Sequence, residues 1–290
     1  HSLPVITNAY LNGIIGFDTE LALKAMTESA MKDTCGYSMG YFVGLENYRK
    51  YGYVPCDMEM ESVARTLEYA FDDRALARFA EQIGRSEEAA YFNEQSFNYK
   101  NVFDTDICFV RGKTKEGKWR TPFAPLASSH RKDDYCEGNA WQWSFFVPHD
   151  VEGLAALMGG KERLAARLDS LFTMSSALEG DDVSGDISGL IGQYAHGNEP
   201  GHHTIYMYNE IGQPYKTQKY VNEVLTTLYD NTPEGICGNE DTGQMSAWYV
   251  FSSLGFYPMD PVSGKYQLGA PLFDRASINL PSGKQFIVTA

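Results

Sequence analysis

Short helical segments arranged in pairs are the feature that most limits the fold of this 290-residue chain. The clearest segment runs from Thr19 to Lys32, where apolar residues recur every three or four positions behind Asp18, a residue type that caps helix N-termini. Turns rich in Gly, Pro and Asp separate the segments, so the sequence predicts a mainly α protein, and helix pairs at this density favour a helical toroid. Further helices are predicted at 37–51, 62–71, 74–83, 87–98, 140–146, 151–158, 161–174, 203–211, 215–229 and 242–254.

Two regions depart from the helical pattern. Residues 104–125 are typical of a long functional loop or a small hairpin. Residues 266–269, 276–280 and 285–288 alternate as strands do around turn residues. We therefore predict an α/α barrel domain over residues 1–260 and a β tail over residues 261–290 that begins a further β unit.

Charge and composition exclude several classes of protein. The formal net charge is −14, whereas nucleic acids and anionic membranes require a basic surface. No apolar run approaches the roughly 18–20 residues of a membrane span, so none is predicted. No C-x-x-C pair suggests zinc among the five cysteines, which are Cys35, Cys56, Cys108, Cys136 and Cys237. The chain does not open on a signal peptide, and its first residues are typical of a start inside a longer protein or of a tag remnant.

Three polar segments carry the candidate chemistry. In the first, Glu137 precedes a helix start, and the nearby aromatic residues Trp141, Trp143 and Phe145 could shield its carboxyl group from water. Burial of this kind raises a carboxyl pKa, as a general acid requires. A solvated or helix-capping glutamate is the simpler interpretation of Glu137 taken alone.

The second segment holds three histidines, His196, His202 and His203, within eight residues. The intervening Pro200-Gly201 pair breaks the helix that a zinc-binding histidine pair would need. Asn198 and Glu199 offer oxygen ligands on a non-helical backbone, which suits calcium better. A polar turn that simply precedes a helix is the alternative.

The third segment places Asn239, Glu240 and Asp241 before a predicted helix. Acidic residues at a helix N-terminus are commonly explained by capping and by the helix dipole. Taken together, however, the three segments supply two separate carboxyl groups, oxygen ligands for a cation and aromatic walls. Hydrolysis of a glycosidic bond needs such a set, because one carboxylic acid protonates the leaving oxygen and one carboxylate activates water or attacks the sugar.

The sequence resembles glycoside hydrolase family 92, the calcium-dependent exo-acting α-mannosidases. Residues 238–258 (GNEDTGQMSAWYVFSSLGFYP) are similar to the signature of that family. Residues 137–143 (EGNAWQW) with 147–150 (VPHD), and residues 191–200 (IGQYAHGNEP) with His202 and His203, are similar as well. Weaker matches lie at 52–55 and 66–70, so the resemblance runs through nearly the whole chain in one order.

This resemblance implies roles for individual residues. Glu137 matches the general acid of an inverting single displacement, and Asp241 matches the general base. Asn239 lies where some members carry a second aspartate. Asn198 and Glu199 match the region that holds calcium, an ion implied to bind hydroxyl groups of the terminal mannose. The candidate sugar contacts are Trp141, Gln193, His202, His203 and Asn239.

The resemblance also implies an architecture and a partner domain. Members carry an N-terminal β-sandwich ahead of an (α/α)6 barrel, and the sandwich completes the substrate pocket. The expectation for this chain is a barrel incomplete at its N-terminal side, acting on mannose-containing glycans, α-1,2-linked ones first, in a secreted or periplasmic protein.

Two other functions fit the residues. A metal-independent barrel glycosidase would cleave glucosides or trehalose with the same paired carboxyl groups. A carbohydrate-binding module would use these acids as helix caps and release its ligand unchanged.

Overall fold

The computed structural model describes residues 2–32 and 43–290, and this part of the chain is mainly helical, as predicted. The predicted helix at 37–51 lies partly outside the described residues, as does Cys35. The helices are α1 Ser2–Leu11, α2 Thr19–Met31, α3 Leu45–Tyr51, α4 Ser62–Gln82, α5 Ser86–Gln95, α6 Ala140–Trp143, α7 Val151–Met158, α8 Lys161–Thr173, α9 Met207–Glu210, α10 Pro214–Thr227 and α11 Gln244–Ser253. Short 3₁₀ turns lie at Asn98–Val102, Glu199–Gly201, Thr204–Tyr206 and Asp241–Gly243.

Helix α2 shows how local sequence sets an element. Its carboxylate cap is Asp18, whose Oδ1 accepts a hydrogen bond from the backbone N–H of Leu21 at 3.0 Å. This bond satisfies one of the N–H groups that a helix start leaves unpaired. The predicted start at Thr19 is therefore confirmed, and the helix ends one residue before the predicted Lys32.

Helix α4 is the central element of the described fold. The sequence predicts two helices, 62–71 and 74–83, but the structure has one helix of 21 residues. Its first half packs into the larger apolar cluster through Val63 and Leu67, and its second half packs into a smaller cluster through Leu76 and Phe79. Because neighbours surround α4 on several sides, it lacks the single apolar stripe of a surface helix.

The polar residues at the predicted break in α4 are held by tertiary contacts. Asp73 is fully buried and receives two hydrogen bonds from the guanidinium group of Arg49 and one from the hydroxyl of Tyr48. Burial raises the pKa of Asp73 to about 6, although Arg49 and Tyr48 oppose that shift. The helix continues through this position because its buried charge has partners.

The strands are short and form two-stranded pairs. β1 Phe103–Asp104 pairs with β2 Phe109–Val110, which forms a small hairpin inside the region predicted as a loop or hairpin. In the tail, β9 Arg275–Asn279 pairs antiparallel with β10 Gln285–Thr289, close to the predicted strands. The remaining strands are β3 Ala127–Ser129, β4 Glu179–Asp182, β5 Leu190–Ile191, β6 Tyr194–Ala195, β7 Phe256–Tyr257 and β8 Gln267–Leu268.

The start of the tail is anchored in the helical part. Val262 is fully buried in the cluster that contains Leu3 and Phe79, and the carbonyl of Pro261 accepts a hydrogen bond from Asn8. The predicted domain boundary after residue 260 stays a prediction. None of the described helices combines the length and the apolar character that a membrane crossing needs.

Candidate active site

Three loops meet at one place and bring the second and third predicted polar segments together. The loop of residues 184–189 contacts the loop of residues 196–199, since the N–H of Gly197 donates to the carbonyl of Ser188 at 3.0 Å. The loop of residues 237–243 packs against the backbone of the 196–199 loop. The approach is so close that a Cβ added to Gly238 would lie 2.1 Å from the carbonyl oxygen of Gly197. Glycine is required at this junction because two backbones touch there.

Glu137 lies just before α6 in a strained conformation, with φ at 48°. The next helix start is closed by a capping box, in which Asn139 accepts from the first turn and Gln142 accepts from the N–H of Asn139. A non-glycine residue in left-handed backbone costs about 1 kcal/mol, and such strain tends to occur at functional positions. Glu137 is thus held by the cap that follows it and is not itself the cap.

The Glu137 side chain borders a small pocket walled by apolar residues. Trp143, Phe146 and Leu171 form its apolar side, and Asn198 lies on its polar side. The pocket volume is about 20 Å³, room for one water-sized group. Burial raises the pKa of Glu137, the charge of Asp186 raises it further, and a hydrogen bond from Asn198 opposes the rise. These surroundings favour the protonated acid.

Asn198 and Glu199 border Glu137 from the second loop. The Nδ2 of Asn198 donates to the backbone carbonyl of Glu137 at 3.0 Å. The Oε1 of Glu199 is buried and has no hydrogen-bond partner among the described residues. Burial raises the pKa of Glu199, and the charges of Asp241, Glu137 and Asp186 act in the same direction. The charges of these three residues therefore all reach Glu199.

Asp241 occupies the third loop and is exposed. It has φ at 24°, and the two following residues, Thr242 and Gly243, also have positive φ. Helix α11 begins at Gln244 without a side-chain cap at Gly243. Glu240 caps this helix start instead, because its carboxylate accepts hydrogen bonds from the N–H and the hydroxyl of Ser246. The capping explanation thus applies to Glu240, and the Asp241 carboxylate remains available.

The predicted sugar contacts divide into one exposed residue and four buried ones. Asn239 is exposed and donates to Oδ1 of Asp186 at 2.9 Å. Gln193 is fully buried, and its carboxamide is occupied by Asn139 and by two backbone carbonyls. Trp141 is also buried, with the guanidinium group of Arg167 4.0 Å from its ring centre.

The histidines of the second segment are buried and neutral. The Nε2 of His202 donates to the carbonyl of His196 at 2.9 Å, and the Nε2 of His203 donates to the carbonyl of Phe145 at 2.7 Å. Burial lowers the pKa of both His202 and His203 to about 4. His196 lies between the hydroxyls of Tyr194 and Tyr229 at 2.8 and 2.7 Å. The hydrogen bonds of these rings hold the loop of residues 196–203 in place.

Sequence reasoning assigned no role to Asp186. This half-buried residue contacts Asn239 and lies near Glu137. A single acid in a polar turn carries no periodic signal, so its position among the three loops is visible only in the tertiary structure.

An acid in a partly apolar pocket, a second exposed carboxylate and a loop site on a helical scaffold are typical of a glycoside hydrolase. Residues 1–290 match the glycosyl hydrolase family 92 catalytic domain. The chain belongs to this family.

Proteins from Bacteroides thetaiotaomicron and Arthroderma benhamiae are similar to this chain. The family GH92 alpha-mannosidase BT3965 from Bacteroides thetaiotaomicron, solved in complex with mannoimidazole, is 39% identical with a TM-score of 0.90. The family GH92 inverting mannosidase BT2199 from the same organism is 39% identical with a TM-score of 0.86. Both comparisons cover 100% of this chain, but only 38% and 40% of those proteins. A curated relative, an uncharacterized secreted glycosidase from Arthroderma benhamiae, is 27% identical over 96% of this chain and 37% of its own length.

Proposed function

We propose that the protein hydrolyses terminal, non-reducing α-linked mannose from glycans by an inverting single displacement assisted by calcium. The observation that carries this proposal is the contrast between two carboxyl groups in one site. Glu137 is half-buried in a pocket that raises its pKa, whereas Asp241 is exposed on the loop of residues 237–243 and does not cap α11. An acid and a base need such different surroundings.

In the proposed mechanism, Glu137 donates its proton to the leaving glycosidic oxygen. The apolar wall that includes Trp143 and Phe146 raises the pKa of this carboxyl group, which favours the protonated form. Asp241 accepts a proton from the water that attacks the anomeric carbon on the opposite face. Similarity to an inverting mannosidase supports the inversion in this proposal.

Glu199 and Asn198 are the residues that would hold calcium. In residues 2–32 and 43–290, no three His, Cys, Asp or Glu side chains are grouped so that they could hold a metal ion. Among the described residues, the buried Oε1 of Glu199 nevertheless lacks a hydrogen-bond partner. The preceding residue, Asn198, carries a neutral carboxamide oxygen. These donors suit a hard cation that takes its other ligands from backbone, water and sugar. When bound, calcium would hold mannose hydroxyls and favour distortion of the ring.

The other predicted residues take different parts in this proposal. Asn239 is the exposed candidate for a sugar contact. The burial of Trp141, Gln193, His202 and His203 favours a role in positioning the loops around the sugar. The closed (α/α)6 toroid, the N-terminal β-sandwich, the preference for α-1,2 linkages and a secreted or periplasmic location remain parts of the proposal. The similarity to a secreted glycosidase supports this location.

Glu137→Gln in the whole protein tests the acid. We expect hydrolysis of a mannobiose to fall by about 10²–10⁴-fold, the usual contribution of general acid catalysis. An aryl mannoside with a good leaving group should be affected less, because its departure needs less protonation. Glu152→Gln is the control, since this acid on α7 has a side chain that is 90% exposed. Unchanged mannobiose hydrolysis in Glu137→Gln would refute the assignment.

Two further measurements test the mechanism. The first sugar released from an α-mannoside should be β-mannose by NMR, and α-mannose would exclude inversion. A chelator should inactivate the enzyme reversibly, with activity restored by calcium and less readily in Glu199→Gln. Full activity in chelator would remove calcium from the proposal. Parallel glucosides and trehalose would reveal the metal-independent alternative.

A further inference from the structure

Asp186 lies where the three loops meet, and the mechanism proposed above uses only its charge, which raises the pKa of Glu137. Its Oδ1 accepts a hydrogen bond from Nδ2 of Asn239 at 2.9 Å. Its Oδ2 accepts one from Oγ of Ser184 at 2.7 Å. Both carboxylate oxygens are therefore engaged by protein donors, and one of those donors is two residues from Asp241.

The loop that carries Asp241 needs an external restraint. Asp241, Thr242 and Gly243 have φ of 24°, 58° and 85°, and the first two are not glycine. Such residues persist in left-handed backbone only where the surroundings hold them. On the α11 side the loop is held by the bonds from Ser246 to Glu240. At the N-terminal end of the loop, the side chain of Asn239 donates a hydrogen bond to Asp186, which ties the loop to the rest of the site.

Backbone hydrogen bonds hold Asp186, the acceptor of this contact. The N–H of Ser188 donates to the carbonyl of Asp186 at 2.9 Å, and the carbonyl of Ser188 accepts from Gly197 at 3.0 Å. The position of Asp186 is thus linked by backbone bonds to the loop that carries Asn198 and Glu199.

We propose that Asp186 is a positioning residue, which holds Asn239 and thereby fixes the orientation of Asp241 toward the reacting water. This inference rests on the proposed function, because the orientation of Asp241 matters for hydrolysis only if Asp241 is the base. Asp186 acts through its hydrogen bond, and a neutral residue with the same acceptor should replace it.

Substitutions at both ends of the bond test the inference in the whole protein. Asp186→Ala should lower kcat on a mannoside by about 100-fold, because a displacement of a catalytic group near 1 Å costs that much, while KM changes by about twofold or less. Asp186→Asn keeps an oxygen that accepts from Asn239 and an amide that can donate to Ser184, so it should retain most of the activity. Asn239→Ala should reduce kcat, and Asp186→Ala with Asn239→Ala should be no worse than the more damaging single change.

Hydrogen exchange of the amides in residues 238–243 gives a readout that does not depend on activity. Asp186→Ala should speed exchange in this loop, and Asp186→Asn should leave it near the parent rate. Unchanged exchange in Asp186→Ala would overturn the inference, as would equal kcat losses in the Ala and Asn variants or additive losses in the double variant. If the parent protein cleaves no mannoside, the proposed function fails, and the exchange rates still decide whether Asp186 holds the loop.

Discussion

His149 shows at the scale of one residue how burial ties stability to pH. Its Nε2 donates to the carbonyl of Ser96 at 2.9 Å, and its ring is buried beside Phe71 and Tyr99. Burial lowers the pKa of His149 to about 4, helped by Arg74 and opposed by Asp150. Between pH 6.5 and 4 the unfolded chain therefore binds a proton at this residue that the folded chain does not, so acidification through this window destabilises the fold.

His149→Gln should remove that dependence, because its amide can still donate to Ser96 but does not titrate. On acidification from pH 6.5 to 4, the free energy of unfolding should fall more steeply in the parent than in the variant. The two slopes should differ by about 1.4 kcal/mol per pH unit. Denaturant titrations at several pH values measure the difference. Burial raises the pKa values of Asp73 and Asp260 to about 6, and these residues stabilise the fold on acidification. The effect of His149 is therefore measured as the difference in unfolding free energy between parent and variant at each pH. Parallel curves would contradict the prediction.

At the scale of elements, α4 depends on a buried ion pair in mid-helix. Asp73→Ala would leave the mostly buried Arg49 guanidinium without its carboxylate. We expect a loss of about 3–5 kcal/mol in unfolding free energy, as for other broken buried pairs. Glu28→Gln, which breaks the exposed pair with Lys32, should have no measurable effect. A small loss in Asp73→Ala, measured by chemical denaturation, would mean that Arg49 finds solvent or another partner.

The junction of the three loops is the second element-scale feature. Gly238→Ala would place a methyl group 2.1 Å from the carbonyl oxygen of Gly197, so the loops must separate. We expect mannoside hydrolysis to fall by about 100-fold, because both Asp241 and Glu199 would move. Gly185→Ala is the matched control in the neighbouring loop, since its added Cβ has no atom within 4 Å. Equal activities of the two variants would show that the close approach does not matter.

At the scale of the whole molecule, the attachment of the tail can be tested by truncation. Ending the chain after residue 260 removes Val262, which is buried against Leu3 and Phe79, and should cost about 1.5–3 kcal/mol for that side chain alone. Ending it after residue 273 removes only the β9–β10 hairpin, whose strands pair with each other. The first truncation should therefore lower the melting temperature clearly, and the second should lower it only slightly. Equal melting temperatures would favour a domain boundary at 260.

The sequence by itself determined the helical class and most helix positions in the described chain, because caps and apolar periodicity are local. Asp18 fixes the start of α2, for example, through a bond that spans three residues. The family was also determined by sequence, since its motifs follow one another along the chain.

Only the tertiary structure decided which polar side chains of distant segments meet. From the sequence, Gln193, His202 and His203 are predicted sugar contacts, and this stays a prediction. In the fold their polar atoms bond to backbone carbonyls or to another side chain. Asp186 read as one acid in a turn, yet it holds Asn239 across 53 residues of sequence. The physical reason is that hydrogen bonds and burial between distant segments depend on where the loops meet, which no local pattern encodes.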